Sequence, residues 1–356
     1  MSKRINSIDN LRWMTVSLLI LYHAAMAYNT WGEANYIFFE KSRPLSAFIS
    51  FVSPWFMPLM FMLAGASSYF SLQKRSMREF ITERAKRLGI PFVFGLTVIN
   101  PVMSYTADVT HNGYKGGYLA HYGIYFSRFT DLSGYDGGFT LGHLWFIAVL
   151  LIISLLACAF IRAAGQITAS KKKAAVFGTV LFACAAAAFG IDILGKKVIT
   201  YFCVYLLGYY FVSSVSFVEK LSHGKWIFTA AFLVFSTANV ALFLYIDGFE
   251  TLNSVCNHLA FAAAMPALLC LGHDCLDFSN SFTKKNTAIS YVFYIIHFPI
   301  TVLCQYLLDL AGVSVYVNLI LTLVICYPLT YLACLAIDRS RYVRVLFGSK
   351  ARPADR

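Results

Sequence analysis

The chain has 356 residues, 59% of them hydrophobic and only 13% charged, with a formal net charge of +12. A soluble domain carries about a quarter charged residues, so this composition excludes one and points to an integral membrane protein. The positive charge does not mark a nucleic-acid binder, because of where it falls: all but six of the 29 basic residues lie on one side of the predicted spans.

Ten apolar runs approach the roughly 20 residues that cross a bilayer as helix. They lie near 13–31, 45–70, 88–107, 141–161, 174–192, 197–215, 226–246, 254–272, 287–309 and 313–337. The expected fold is therefore all-α, with about ten transmembrane helices in one membrane domain over 1–356. Lys41, Arg43, Lys115, Arg128, Lys196 and Lys197 stand on the outer side and the remaining Lys and Arg on the inner side. Lys3, Arg4, Lys350, Arg352 and Arg356 are among the inner ones. By the positive-inside rule both termini are cytoplasmic.

The first run opens on Asp9-Asn10-Leu11-Arg12 and reaches His23 at depth. An ionisable residue there is a functional-site hypothesis by default, since a charge at mid-bilayer costs about 2.5–3.5 kcal/mol on insertion scales. Eleven residues turn a helix through about 1100°, about 20° past three full turns, so Arg12 and His23 share a face. The rise of about 16 Å puts His23 near the midplane when Arg12 is at the inner interface. Asp9 caps the helix or pairs with Arg12. The plainer alternative is a packing histidine and a snorkelling arginine. Ala25-Met26-Ala27 also resembles a signal-peptide cleavage site, but Asp9, Arg12 and His23 suit a functional helix better.

Residues 71–87 form a basic inner loop in which Arg84 and Arg87 stand three apart on one helical face. Paired guanidinium groups match phosphate oxygens; ordinary topology charge or anionic lipid would also explain them. Residues 108–140 form an outer loop rich in Gly and Tyr, whose rings offer flat surface to a sugar or to the membrane interface. Gly142-His143-Leu144-Trp145 follows; Trp145 anchors the interface, or His143 lines an acceptor site opening outward. In the ninth run Ser290, Tyr294 and His297 share a face, and His297 lies about as deep as His23. His297 would then orient His23 or relay its proton, or it would merely bond backbone freed by Pro299. No carboxylate falls at mid-depth in any run, and the nine cysteines lie in or beside spans without metal-ligand spacing, so no metal site is expected.

Taken in order, these motifs resemble the family-3 membrane acyltransferases. They are Asp-x-Leu-Arg with His23 eleven residues beyond Arg12, Arg84-x-x-Arg87 before Gly89-Ile90-Pro91, His143-Leu144-Trp145-Phe146, and Ser290-Tyr291-x-x-Tyr294-x-x-His297-x-Pro299. Phe61-Met62-Leu63-Ala64-Gly65 matches the family's second-helix pattern with Ala64 where Ser is commoner. The 83–91 stretch and the 346–350 tail look closest to the branch that succinylates periplasmic glucans.

The resemblance implies an acyl group taken from cytoplasmic acyl-CoA, acetyl- or succinyl-CoA, as donor substrate. It implies delivery to a hydroxyl, on a cell-envelope carbohydrate or another envelope acceptor, at the cytoplasmic membrane, with no permanently bound cofactor. Arg84, Arg87 and Arg12 would hold the CoA; His23 would be general base or transient acyl carrier, with Arg12 and His297 in the catalytic set. Tyr294, His297 or Trp145 would supply oxyanion donors. Asp9, Ser290 and His143 would support them. Some members carry a fused extracytoplasmic hydrolase-like domain; the last predicted span ends near 337 of 356 residues, so none is expected here, and transfer would finish in the membrane domain or on a separate partner. The competing function is a secondary transporter with a midplane histidine relay, disfavoured by the lack of an internal repeat.

Overall fold

The computed structural model describes residues 5–164 and 170–349. Lys3, Arg4, Lys350, Arg352 and Arg356 therefore lie outside the described residues. Fifteen α-helices are present among those residues: α1 Asn6–Met26, α2 Arg43–Val52, α3 Phe56–Leu72, α4 Met77–Phe94, α5 Pro101–Asn112, α6 Tyr118–Tyr125, α7 Trp145–Ala164, α8 Lys171–Ala187, α9 Val198–Leu207, α10 Val215–Ser222, α11 Lys225–Leu244, α12 Glu250–Leu276, α13 Ser281–Leu310, α14 Val315–Arg339 and α15 Val343–Leu346. The all-α expectation holds, with one isolated bridge between Ile193 and Lys196 as the β-type pairing among the described residues.

Among the described residues, eight helical segments are long and apolar enough to cross a membrane, and nine if α9 and α10 count as one span bent by 99°. The tenth expected span is α1. It is 21 residues long but carries Asp9, Asn10, Arg12 and His23, which lower its apolarity below that of the others. The difference from ten thus lies in the polar residues that make α1 interesting.

The described residues divide into two compact units interleaved along the chain. One comprises Met1–Thr15, Ser50–Arg84 and Val149–Lys284; the other comprises Val16–Ile49, Ala85–Ala148 and Lys285–Arg356. In the first, α3 crosses α9 with backbone against backbone. A methyl group on Gly65 would overlap the Tyr205 carbonyl, and one on Gly208 would overlap that of Met62. Small residues at helix crossings serve this purpose in lipid, where close packing replaces the hydrophobic effect between helices.

In the second unit, prolines inside helices open carbonyls to side chains. Pro91 of α4 has no amide hydrogen for Arg87, four residues earlier, and the Tyr291 hydroxyl donates to that Arg87 carbonyl at 3.2 Å. Pro299 of α13 leaves the Ile295 carbonyl in the same position. A π-helical turn at Gly95–Ile99 joins α4 to α5, and the Tyr125 hydroxyl donates to the Leu96 carbonyl at 2.8 Å.

The stretch 108–140 is folded rather than a plain loop. Tyr125 is fully buried and so is core, neither a sugar platform nor an interfacial ring. Asp108, buried at the end of α5, accepts from Asn112 Nδ2 at 2.7 Å and lies 3.2 Å from His121 Nε2 and 3.5 Å from Arg128 Nη1. Gly137, at φ +79°, leaves the space that Asp108 occupies. Burial lowers the pKa of His121, with Asp108 opposing, so the ring is held neutral.

Candidate active site

Two groups of predicted residues are brought into definite surroundings, one in each unit. In the first unit two guanidinium groups reach consecutive residues of α3. Arg12 donates through Nη2 to the Ser67 hydroxyl and to the Leu63 carbonyl (3.2 Å), and Nη1 pairs with Asp9 at 3.3 Å. Arg84 donates to the Ser68 hydroxyl at 2.7 Å and lies over the Phe80 ring, 5.0 Å from its centroid. Ser68 Oγ also accepts from the Tyr205 hydroxyl at 2.6 Å and donates to the Ala64 carbonyl at 2.8 Å. The Gly65 crossing fixes α9 where Tyr205 can make that bond. The result is two guanidinium groups brought to adjacent positions of α3, Arg84 on the Ser68 hydroxyl and Arg12 on Ser67, the Leu63 carbonyl and Asp9.

In the second unit His23, His143 and His297 cluster. Their ring centroids lie 5.3 Å apart for His23 and His297 and 5.2 Å for His143 and His297. His23 stacks on Phe298 at 3.8 Å with 18° between the planes. It is partly exposed, and its ring nitrogens make no hydrogen bond among the described residues. The other two rings are buried and tied to backbone. His143 Nε2 lies 2.8 Å from the Ile295 carbonyl, and His297 Nδ1 lies 2.7 Å from the Tyr294 carbonyl and 3.2 Å from that of Phe293. A carbonyl only accepts, so each of these nitrogens carries its ring's proton, and His143 Nδ1 and His297 Nε2 present lone pairs. Neither lone pair has a donor among the described residues. Leaving a buried acceptor unmatched costs about 1–3 kcal/mol, an expense typical of a functional site.

Local structure explains how His143 reaches the cluster from just before α7. It stands in a short 3-10 turn, Gly142–Leu144. The turn is pinned by Thr140, whose hydroxyl accepts from Gly142 N at 2.8 Å, and by Asn100, whose side-chain amide donates to the Thr140 and Leu141 carbonyls at 3.1 and 3.0 Å. The Tyr294 hydroxyl donates to the His143 carbonyl and is thereby committed.

Several predicted residues stand differently from expectation. The carbonyl freed by Pro299 is taken by His143, not by His297, because Ile295 is the residue four before the proline. Ser290 donates to the Thr287 carbonyl of its own helix at 3.0 Å, so a shared face does not bring it into the cluster. The Arg87 side chain is exposed while Arg84 is half-buried on Ser68. Trp145 is half-buried beside Phe146, their centroids 6.4 Å apart. Sequence reasoning missed Ser67, Ser68, Tyr205 and Phe298. The Ser67-Ser68 pair two residues after Gly65 was visible, but only the fold shows that two arginines converge on it. Among the described residues, no three His, Cys, Asp or Glu side chains are placed to hold a metal ion.

Comparison with known proteins fits this arrangement. The family model described as an acyltransferase domain matches residues 5–339. Proteins named "Glucans biosynthesis protein C" from two strains of Escherichia coli are each 24% identical over 331 residues, covering 83% of this chain and 81% of theirs. No solved structure matches. With nearly its whole length matched, the chain belongs to the family-3 membrane acyltransferases and is an acyltransferase enzyme.

Proposed function

We propose that the protein moves an acyl group, acetyl or succinyl, from cytoplasmic acyl-CoA to a hydroxyl of an extracytoplasmic carbohydrate, in the cytoplasmic membrane and with both termini inside. The observation that carries it is the state of His23: stacked on Phe298, with ring nitrogens bound to no other side chain, beside two fixed imidazoles, in a chain of an acyltransferase family. The glucan named in the relatives' titles supports a carbohydrate acceptor.

In this reading Arg84 and Arg12 turn from Ser68 and Ser67 to the phosphates of CoA, with Arg87 adding charge at the inner face. His23 takes the proton of the acceptor hydroxyl. The oxygen attacks the thioester carbon, the new C–O bond forms, the C–S bond breaks, and the proton ends on the CoA thiol. Alternatively His23 Nε2 or Nδ1 carries the acyl group between two such transfers. Transfer is completed here or on a separate extracytoplasmic partner.

A panel of acyl-CoA thioesters, assayed by mass detection of free CoA and of acylated protein, tests the proposal. Acceptor-dependent CoA release supports it, and an acyl adduct on His23 selects the carrier route. Absence of turnover with every thioester, together with no thermal stabilisation by any of them, contradicts it.

A further inference from the structure

The histidine cluster contains a device that acyl transfer alone does not require. In a continuous helix the Ile295 carbonyl would accept from the amide of residue 299. That residue is Pro299, which has no amide hydrogen, so the carbonyl is open, and His143 Nε2 occupies it at 2.8 Å. The same arrangement recurs at Pro91, where Tyr291, one turn before Ile295 on α13, takes the opened Arg87 carbonyl.

The consequence concerns protons. An imidazole in a neutral site has two tautomers, and the group bonded to one nitrogen decides which is present. His143 is fixed with hydrogen on Nε2 by Ile295, and His297 with hydrogen on Nδ1 by Tyr294. Both remaining nitrogens are buried lone pairs without donors among the described residues. His23 is the member of the trio with no such bond.

We propose that Pro299 is a positioning residue for catalysis: by opening the Ile295 carbonyl it locks His143 as the Nε2–H tautomer, so that His143 Nδ1 and His297 Nε2 are both acceptors for the proton His23 takes from substrate. The proton is shared within the trio while the C–O bond forms, and it leaves on the CoA sulfur as the C–S bond breaks, so the rings end unchanged. The chemistry rests on the acyl-transfer reading; the tautomer lock rests on geometry alone.

The test joins a spectroscopic arm to a kinetic one. Protein labelled with nitrogen-15 in histidine, in lipid nanodiscs, shows which nitrogen of His143 is protonated, with the resonance assigned by its loss in His143→Gln. The wild type is expected to show hydrogen on Nε2. Pro299→Ala restores an amide that competes for Ile295, so His143 is expected to lose its single tautomer. In the same variant kcat falls at least about tenfold while KM for acyl-CoA stays within about twofold, a share of the usual acid–base contribution. His143→Gln keeps a donor for Ile295 but has no Nδ1 lone pair, so kcat falls at least as far, and adding Pro299→Ala costs nothing more. The lock is overturned if wild-type His143 carries hydrogen on Nδ1, or if Pro299→Ala leaves it on Nε2. The catalytic role is overturned if well-folded Pro299→Ala turns over at the wild-type rate or if the two losses multiply. Should the wild type transfer no acyl group at all, the acyl-transfer reading fails, while the nitrogen resonances still decide the lock.

Discussion

The guanidinium pair and the histidine trio are held by opposite means. Arg12 and Arg84 each reach a serine hydroxyl, a group that can rotate and that accepts or donates as needed, and Arg12 also bonds Asp9 and the Leu63 carbonyl. His143 and His297 rest on backbone carbonyls, which neither rotate nor donate. The first arrangement lets a side-chain partner turn aside when the guanidinium moves. The second removes freedom, fixing which nitrogen bears hydrogen before substrate arrives, as preorganised catalysis requires. One end of α1 carries Arg12 and the other His23, the residue proposed to react.

The largest effect expected from this contrast is at His23. His23→Ala should lower kcat by about 10²–10⁴-fold or more, while acyl-CoA still raises the melting temperature as in the wild type. Next come the arginines. Arg84→Ala should raise KM for acyl-CoA by about 10–100-fold with little change in kcat, since a hydrogen bond to a charged group contributes about 1.5–3 kcal/mol; Arg87→Ala, at an exposed position, should raise it less. Equal damage to kcat from both arginines would erase the distinction between the two regions. A smaller effect is expected at Tyr205→Phe, which removes one bond to Ser68 and should raise KM by about fivefold, about 1 kcal/mol. The mildest concerns the segment 108–140. His121 titrates below its ordinary 6.5 in the folded protein because it is buried, so the unfolded segment binds more protons and stability falls as pH drops below 6.5. Limited proteolysis within 108–140 should therefore accelerate in acid, and less so in His121→Asn.

Helical class and the positions of most long apolar helices were legible because apolar length and period are local properties. Arg12 and His23 on one helix followed from spacing alone. What spacing could not show is which side chain answers a distant backbone group. Ser290 has the right period but spends its hydroxyl on Thr287. Pro299 announced an open carbonyl, yet the partner is His143, 152 positions away. Tyr125 looked like loop surface and is core, because the Leu96 carbonyl of a π-turn accepts its hydroxyl. The count of long apolar helices differs from the expected ten at α1, because Asp9, Asn10, Arg12 and His23 lower its apolarity.

The role of His23 is tested most directly by CoA release from purified wild-type protein and His23→Ala in nanodiscs, with an acyl-CoA donor and a carbohydrate hydroxyl acceptor. Acceptor-dependent release by the wild type is expected, and none above background by the variant, with donor binding preserved in both. Release by His23→Ala at the wild-type rate would contradict that role.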